Sequence, residues 1–186
     1  NLPWLPAKNE YDEWFVPTDL YADYSEHLIS TQAQFLDFSR QELLRTFIGD
    51  LGIHTELDNN LVIAHLLYCA ENHLPIKNSK RLYQHLQDLS KKSEDSILRL
   101  KGKPCIYVGG TNFLEPSKCY WSENPFRHYR FHLDNEWRDY TTLFEKLGIR
   151  EKPSYRDALD VMIEISNRFA PEGKSLDEDT SQALYR

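Results

Sequence analysis

His65, Cys69 and His73 stand four residues apart in the run LVIAHLLYCAENH. On a helix that spacing lines three side chains along one face. Two imidazoles and a thiol so placed could hold a metal ion, given a neutral imidazole or a thiolate and a second shell of hydrogen bonds to orient them. The same three residues would equally form the buried stripe of an ordinary helix.

Other stretches raise chemical questions of their own. RHYRFH, Arg127–His132, interleaves basic and aromatic residues, a mixture able to grip phosphates and stack on bases. Read as a strand, it sends Arg127, Tyr129 and Phe131 to one face and His128, Arg130 and His132 to the other. That also describes a sheet with a half-buried aromatic side and a solvated basic one. Lys77, Lys80, Arg81, Lys91, Lys92, Arg99, Lys101 and Lys103 form a basic segment opposed only by Asp88, Glu94 and Asp95. Such a patch could bind something acidic, including the acidic start of a neighbouring copy, which carries Glu10, Asp12, Glu13, Asp19, Asp23 and Glu26 against Lys8.

Enzyme signatures fare less well. Glu172 and Lys174 form a carboxylate-X-lysine pair like that of metal-dependent nucleases. Those enzymes need a further acidic ligand on the same sheet, and this pair sits in a Pro-Gly loop with no suitable strand before it. Gly109-Gly110 lacks the Gly-Lys-Ser/Thr of a phosphate-binding loop, and no Gly-X-Ser-X-Gly elbow is present. Trp4, Trp14, Trp121 and Trp137 read as anchors for packing rather than as a ligand cage. The reading is therefore non-enzymatic, with no cofactor of its own.

The bulk properties agree with an interaction role. The chain has 186 residues, 40% hydrophobic and 27% charged, enough for one ordinary domain or two small units sharing a core. A net charge of −7 works against broad nucleic-acid binding, which draws on clustered Lys and Arg. Three cysteines without paired spacing point to free thiols in a reducing compartment. The longest apolar run is about half the length needed to cross a bilayer, and no leader precedes it. A cytoplasmic setting is expected. The opening NLPWLP, beginning on Asn1, reads like the middle of something, as though cut from a larger polypeptide.

The chain repeats itself. Gly52 and Gly148 lie 96 residues apart, each within Leu-Gly-Ile. At that offset Leu66 meets Met162 and Leu67 meets Ile163, while His65, Cys69 and His73 meet Val161, Ile165 and Phe169. A face equally content with Val, Ile and Phe is a packing face, which turns the reading of the histidine stripe away from metal. Upstream, WFVPTDLY and FLEPSKCY align on Pro17 and Pro116 at an offset of 99. Each half thus reads as extended segment, aromatic-X-X-Pro turn, helix closing on glycine, loop, and second helix. Ser154 is placed to cap that second helix by accepting from a backbone N–H near Asp157, and Asp58 stands in the matching place. PCIYVGGTNFLEP predicts a β-hairpin around Gly109-Gly110, with LPWLPAKNEYDEWFVP as its counterpart. Leu82, Leu86 and Leu89 predict an amphipathic connecting helix.

The second half resembles a region of the large sacsin-like and NO VEIN-like proteins, on KPCIYVGGTNFLEPSKCYW, NPFRHYRFHL and YTTLFEKLGIREKPSYRDALDVMIEIS. The residues that carry it are Phe113, Pro116, Leu147, Gly148, Ile149, Pro153 and Asp157. The first half is similar but has Leu57 where the second has Pro153. Members of that group carry an Hsp90 and histidine-kinase type ATPase domain upstream, whose Asp-X-Gly-X-Gly motif is approached here only by Asp50–His54. Asp50 reads as a helix-end residue, not as a reader of adenine. The resemblance implies chaperone-like or defence-related machinery and ATP hydrolysis in the parent, not in this segment.

The expected fold is α+β and helix-rich. Two related units at 1–75 and 104–186, each a small hairpin or sheet plus helices, are joined by a helical segment at 76–103. The expected role is a non-catalytic module coupling an ATPase domain to flanking domains or client chains, with no membrane partner. The alternative is contact with nucleic acid through the 77–103 segment and Arg127–His132.

Overall fold

The computed structural model describes residues 2–8, 10–38, 44–123 and 125–169. The fold is α+β and helix-rich, with helices set among two-stranded sheets. Packing divides it into two units. The first is Asn1–Leu100 with Pro104–Phe113, and the second is Lys101–Lys103 with Leu114–Arg186.

The first unit opens with β1 (Leu5–Ala7) and β2 (Glu10–Phe15), an antiparallel pair with an irregularity between Pro6 and Ala7. Pro17 then starts a 3-10 turn, Pro17–Asp19, where its fixed φ suits the first helical position and its missing N–H costs nothing. Next come β3 (Leu20–Tyr21), α1 (Glu26–Ile29) and β4 (Gln34–Phe35), with β3 and β4 parallel. The helices α2 (Arg45–Asp50) and α3 (Asn59–Glu71) succeed them. Between these helices Tyr21 bridges His54 in parallel. A core of Leu5, Ala7, Leu20, Ala22, Leu36, Ile48 and Ile53 fills this half.

Helix α4 (Ser79–Lys92) begins behind Asn78, whose side chain accepts from the Arg81 N–H, satisfying a donor that the first turn leaves open. As the helical spacing predicts, Leu82, Leu86 and Leu89 are buried. The helix is not a mere connector, however. Tyr83 is fully buried, its hydroxyl donating to the Cys105 carbonyl at 2.7 Å and accepting from the Tyr107 N–H at 2.6 Å. These bonds fix β5 (Ile106–Gly109), which pairs with β6 (Asn112–Leu114). That is why 76–100 and the hairpin through Phe113 pack with the first unit rather than dividing at 75 and 103. The hairpin itself turns where the sequence predicts, with φ of 103° at Gly109 and 61° at Gly110, values open to glycine at little cost.

The second unit retraces the first. Pro116 starts a 3-10 turn, Pro116–Lys118, leading into β7 (Cys119–Tyr120), which runs parallel to β8 (Phe131–His132). Helices α5 (Thr141–Leu147) and α6 (Tyr155–Phe169) come next, and Tyr120 bridges Arg150 where Tyr21 bridges His54. The repeat extends to single backbone hydrogen bonds. Ala22 N–H to His54 carbonyl (3.0 Å) matches Trp121 to Arg150 (3.1 Å), and Leu36 to Tyr21 matches Leu133 to Tyr120, both 2.9 Å. Ile53 to Ile48 matches Ile149 to Phe144, and the Asp58 and Ser154 carbonyls each take the first bonds of their helix. Gly52 and Gly148 adopt φ of 88° and 114°, the left-handed conformation that lets the chain leave a helix. Phe126, Tyr129, Val161 and Ile165 form a core on the inner side of α6.

Candidate functional site

The histidine stripe divides. His65 and Cys69 are buried, with Thr31 Oγ1 2.8 Å from His65 Nδ1 and the Cys69 sulfur 3.7 Å from the same nitrogen. Helix α3 ends at Glu71, and His73 lies past it, exposed, with φ of 53°. The helical spacing therefore stops short of its third member. Among the described residues no group of three or more His, Cys, Asp or Glu is placed to hold a metal. Burial, helped by the nearby His27, pushes the His65 imidazole down to about 4, and burial raises the Cys69 thiol. A neutral imidazole in the fold and an ordinary one in the unfolded chain fix the sign of the pH dependence. Below about pH 6.5 the unfolded chain takes a proton that the fold refuses. Stability is expected to fall from there to about pH 4, and His65→Phe should flatten that slope in acid-dependent urea melts.

The other thiols offer no nucleophile either. Cys105 and Cys119 are buried, and burial, with Glu115 nearby, pushes Cys119 up to about 12. A thiol so placed stays protonated and unreactive.

The basic segment is exposed, and two of its side chains have partners within the unit. In the first unit Lys77, Lys80, Arg81, Lys91, Lys92 and Arg99 all face solvent. Lys91 pairs with Asp88 at 3.3 Å, and Arg99 donates to Asn60 at 3.4 Å. Lys101 and Lys103, also exposed, belong with the second unit. A polar cleft of about 540 Å³ beside α4 brings together Arg45, Arg81, His85, Glu56, Asp88 and Tyr24. Its lining holds two carboxylates as well as two guanidiniums, Arg45 lies 5.3 Å above the Tyr24 ring, and burial lowers the His85 pKa. Positive charge does not accumulate there.

RHYRFH does not form the alternating strand that its sequence predicts. Arg127–Tyr129 is a 3-10 turn, and only Phe131–His132 is extended. Tyr129 turns into the core against Val161 and Ile165, taking Arg130 in with it. The Arg130 guanidinium, 5% exposed, donates to the Tyr129 carbonyl at 2.7 Å and to Glu164 at 3.1 Å. It is committed to the fold and is not available to a phosphate. The Arg127 side chain lies outside the described residues, as do Glu172 and Lys174.

Pro153 and Asp157 sit in the loop and first turn of α6. The capping there runs opposite to the sequence reading. Ser154 is the donor, and the Asp157 carboxylate accepts from both its N–H and its hydroxyl at 2.6 Å. Arg150 bonds the same carboxylate and also reaches the Tyr120 hydroxyl at 3.1 Å. A carboxylate three residues into the helix satisfies the open N–H of the capping residue, the returning half of a capping box. Burial alone would raise the Asp157 pKa. The bonds from Ser154, Tyr120 and Arg150 outweigh it and hold the carboxyl well below its usual range. Burial, and then Asp157, drive the Tyr120 hydroxyl up to about 12. In the first unit Leu61 stands at the place of Asp157, and Asp58 caps α3 by accepting from the Asn60 N–H at 2.8 Å.

The surfaces that the sequence reading missed are apolar. Trp121 and Trp137 are packed, as expected, but Trp4 and Trp14 are 51% and 61% exposed. Leu5 pairs with Phe15 and Pro6 with Trp14, so the buried side of the hairpin is the Leu5 side and alternation turns Trp14 outward. That alternation was the signal available in the sequence. Trp4, Phe38 and Phe47 border a hollow of about 140 Å³, floored by Leu5, Leu36, Ile48, Leu51 and Ile53 and lined only by apolar residues. In the second unit α6 shows Tyr155, Leu159, Met162 and Ile163 to solvent. No family model, curated protein or solved structure matches this chain.

Proposed function

We propose that the chain is a non-catalytic interaction module that captures an apolar side chain of another polypeptide segment in the Trp4–Phe38–Phe47 hollow. The observation that carries this reading is the hollow itself, with three large aromatic rims each more than half exposed at 51%, 51% and 57%. Water gains little from such a lining, whereas a Leu or Phe from a client gains its transfer energy there. Aromatic rims are also the residues that most often dominate protein interfaces. The sacsin-like resemblance supplies the context: a segment that couples an upstream ATPase to flanking domains or client chains.

The nucleic-acid reading is weaker because Arg130 is internal and Lys91 is paired. The test is binding to a permanently unfolded, carboxymethylated polypeptide, read by Trp fluorescence and by titration. Phe47→Asp with Trp4→Ser is expected to weaken binding at least about tenfold. Both sites are exposed, so the fold should tolerate the change, and circular dichroism checks that it does. Equal binding by the double variant sinks the proposal. Binding that instead vanishes steeply with salt would return the basic segment to first place.

A further inference from the structure

Helices α3 and α6 hold the same place in their units, yet they are buried differently. At an offset of 96, His65 and Cys69 face inward, as do Val161 and Ile165. On the next stripe round the helix the correspondence fails. Ile63 and Leu66 are 1% and 0% exposed, while Leu159 and Met162 are 40% and 44% exposed. Leu67 is half-buried and its counterpart Ile163 is exposed. Leu159, Met162 and Ile163 stand at i, i+3 and i+4, the spacing of one helical face.

In the first unit the 3-10 turn Asp95–Leu100 packs on α3. Its Ile97 and Leu100 are each 1% exposed. Three residues apart, they fall on one side of such a turn. Between them Arg99 donates to the Asn60 side chain of α3 at 3.4 Å, which sets the register of the turn along the helix. The matching face of α6 is open among the described residues, and its polar neighbour differs. At the offset of 96 Asn60 becomes Arg156, whose guanidinium is exposed. A cation on the turn, welcome at the Asn60 oxygen, would be repelled there, whereas a carboxylate would be attracted.

We propose that the Leu159–Met162–Ile163 face of α6 is a docking surface for a short turn of a partner polypeptide, one that carries two apolar side chains three residues apart and a carboxylate between them. The turn has the form Ile-X-Glu-Leu, in place of the Ile-Leu-Arg-Leu that α3 receives. Covering the face removes three large apolar side chains from water, which supplies most of the attraction. The carboxylate opposite Arg156 forms a partly solvated pair of smaller worth. It decides between partners that are otherwise alike. The surface is independent of client capture in the first unit, so either can fail alone.

The test follows the amide resonances of the isotope-labelled full chain during titration with two synthetic peptides. One is SEDSILRLKG, Ser93–Gly102 of this sequence, and the other is the same peptide with Arg99→Glu. The glutamate peptide is expected to shift the α6 amides and to bind about fivefold tighter than its parent. Arg156→Glu in the protein should reverse that order, and Met162→Asp should weaken the glutamate peptide at least about tenfold. Both substituted positions are exposed, so the fold should tolerate them. Shifts confined to α3, to the Trp4–Phe38–Phe47 hollow, or to neither overturn the proposal. So does an order of affinities that ignores the charge at position 156.

Discussion

Replacing Asp157 with alanine is expected to destabilise the second unit by about 2 kcal/mol at neutral pH. The carboxylate is 4% exposed and accepts from Ser154 twice, at 2.6 Å each, and from Arg150. Alanine removes the single oxygen, Oδ2, that takes both Ser154 donors, and leaves the N–H and hydroxyl of that residue without a side-chain acceptor. Most of the loss belongs to the Ser154 bonds, because the Arg150 side chain is 44% exposed and solvent screens its share. The pH dependence comes from the direction of the shift. Asp157 is held well below its ordinary value, so its contribution is complete above about pH 4 and is lost as pH falls toward the folded value. The gap between wild type and variant should therefore be full at pH 7 and close in strong acid. Urea melts followed by Trp121 and Trp137 fluorescence read this directly. A gap under about 0.5 kcal/mol at pH 7 would show that the cluster is decorative.

Tyr83→Phe is expected to cost the first unit about 2–4 kcal/mol, although it removes one oxygen atom and no contact area. The hydroxyl satisfies two buried backbone groups at once, the Cys105 carbonyl and the Tyr107 N–H. Each left unpaired carries a desolvation penalty of about 1–3 kcal/mol. The loss should be local as well as global. Amides of β5 should exchange faster in the variant while those of α3 keep most of their protection. If Tyr83→Phe melts with wild type and β5 is unaffected, the hairpin is held by its apolar side chains, Ile106 among them, and the hydroxyl is incidental.

The features legible in the sequence are those that the backbone demands of single residues. Pro17 and Pro116 at the start of matching 3-10 turns, and Gly52 and Gly148 at matching left-handed exits, recur at fixed offsets because few other residues fit there. They were enough to reveal the repeat, the Gly109-Gly110 hairpin and the packing role of His65 and Cys69. Features that depend on what a side chain finds opposite it were not legible. RHYRFH alternates well enough for a strand, but the pull of Val161 and Ile165 on Tyr129 decides its path. Ser154 and Asp157 were recognised as a pair, but their roles depend on Arg150 and Tyr120 arriving on the same carboxylate. The apolar residues of α6 look in sequence like those of α3. Only the structure shows one set covered and the other bare. Residue type alone makes Trp4 and Trp14 packing anchors, whereas the register of β1 on β2 turns Trp14 outward.

The staggered place of the hairpin, second in the repeat but packed with the first unit, bears on how the protein is made. A polypeptide leaves the ribosome from its N-terminus, and Tyr83 emerges before the strand that its hydroxyl must hold. The first unit thus waits for the opening of the second copy before it can close. The growing chain is past the duplication boundary before its earlier half is complete. The same stagger limits how the duplicated gene can be rearranged. A crossover just before Pro104 severs Tyr83 from both of its partners, whereas one after Phe113 leaves the first unit whole. The inherited repeat and the exchangeable piece are therefore different lengths of chain.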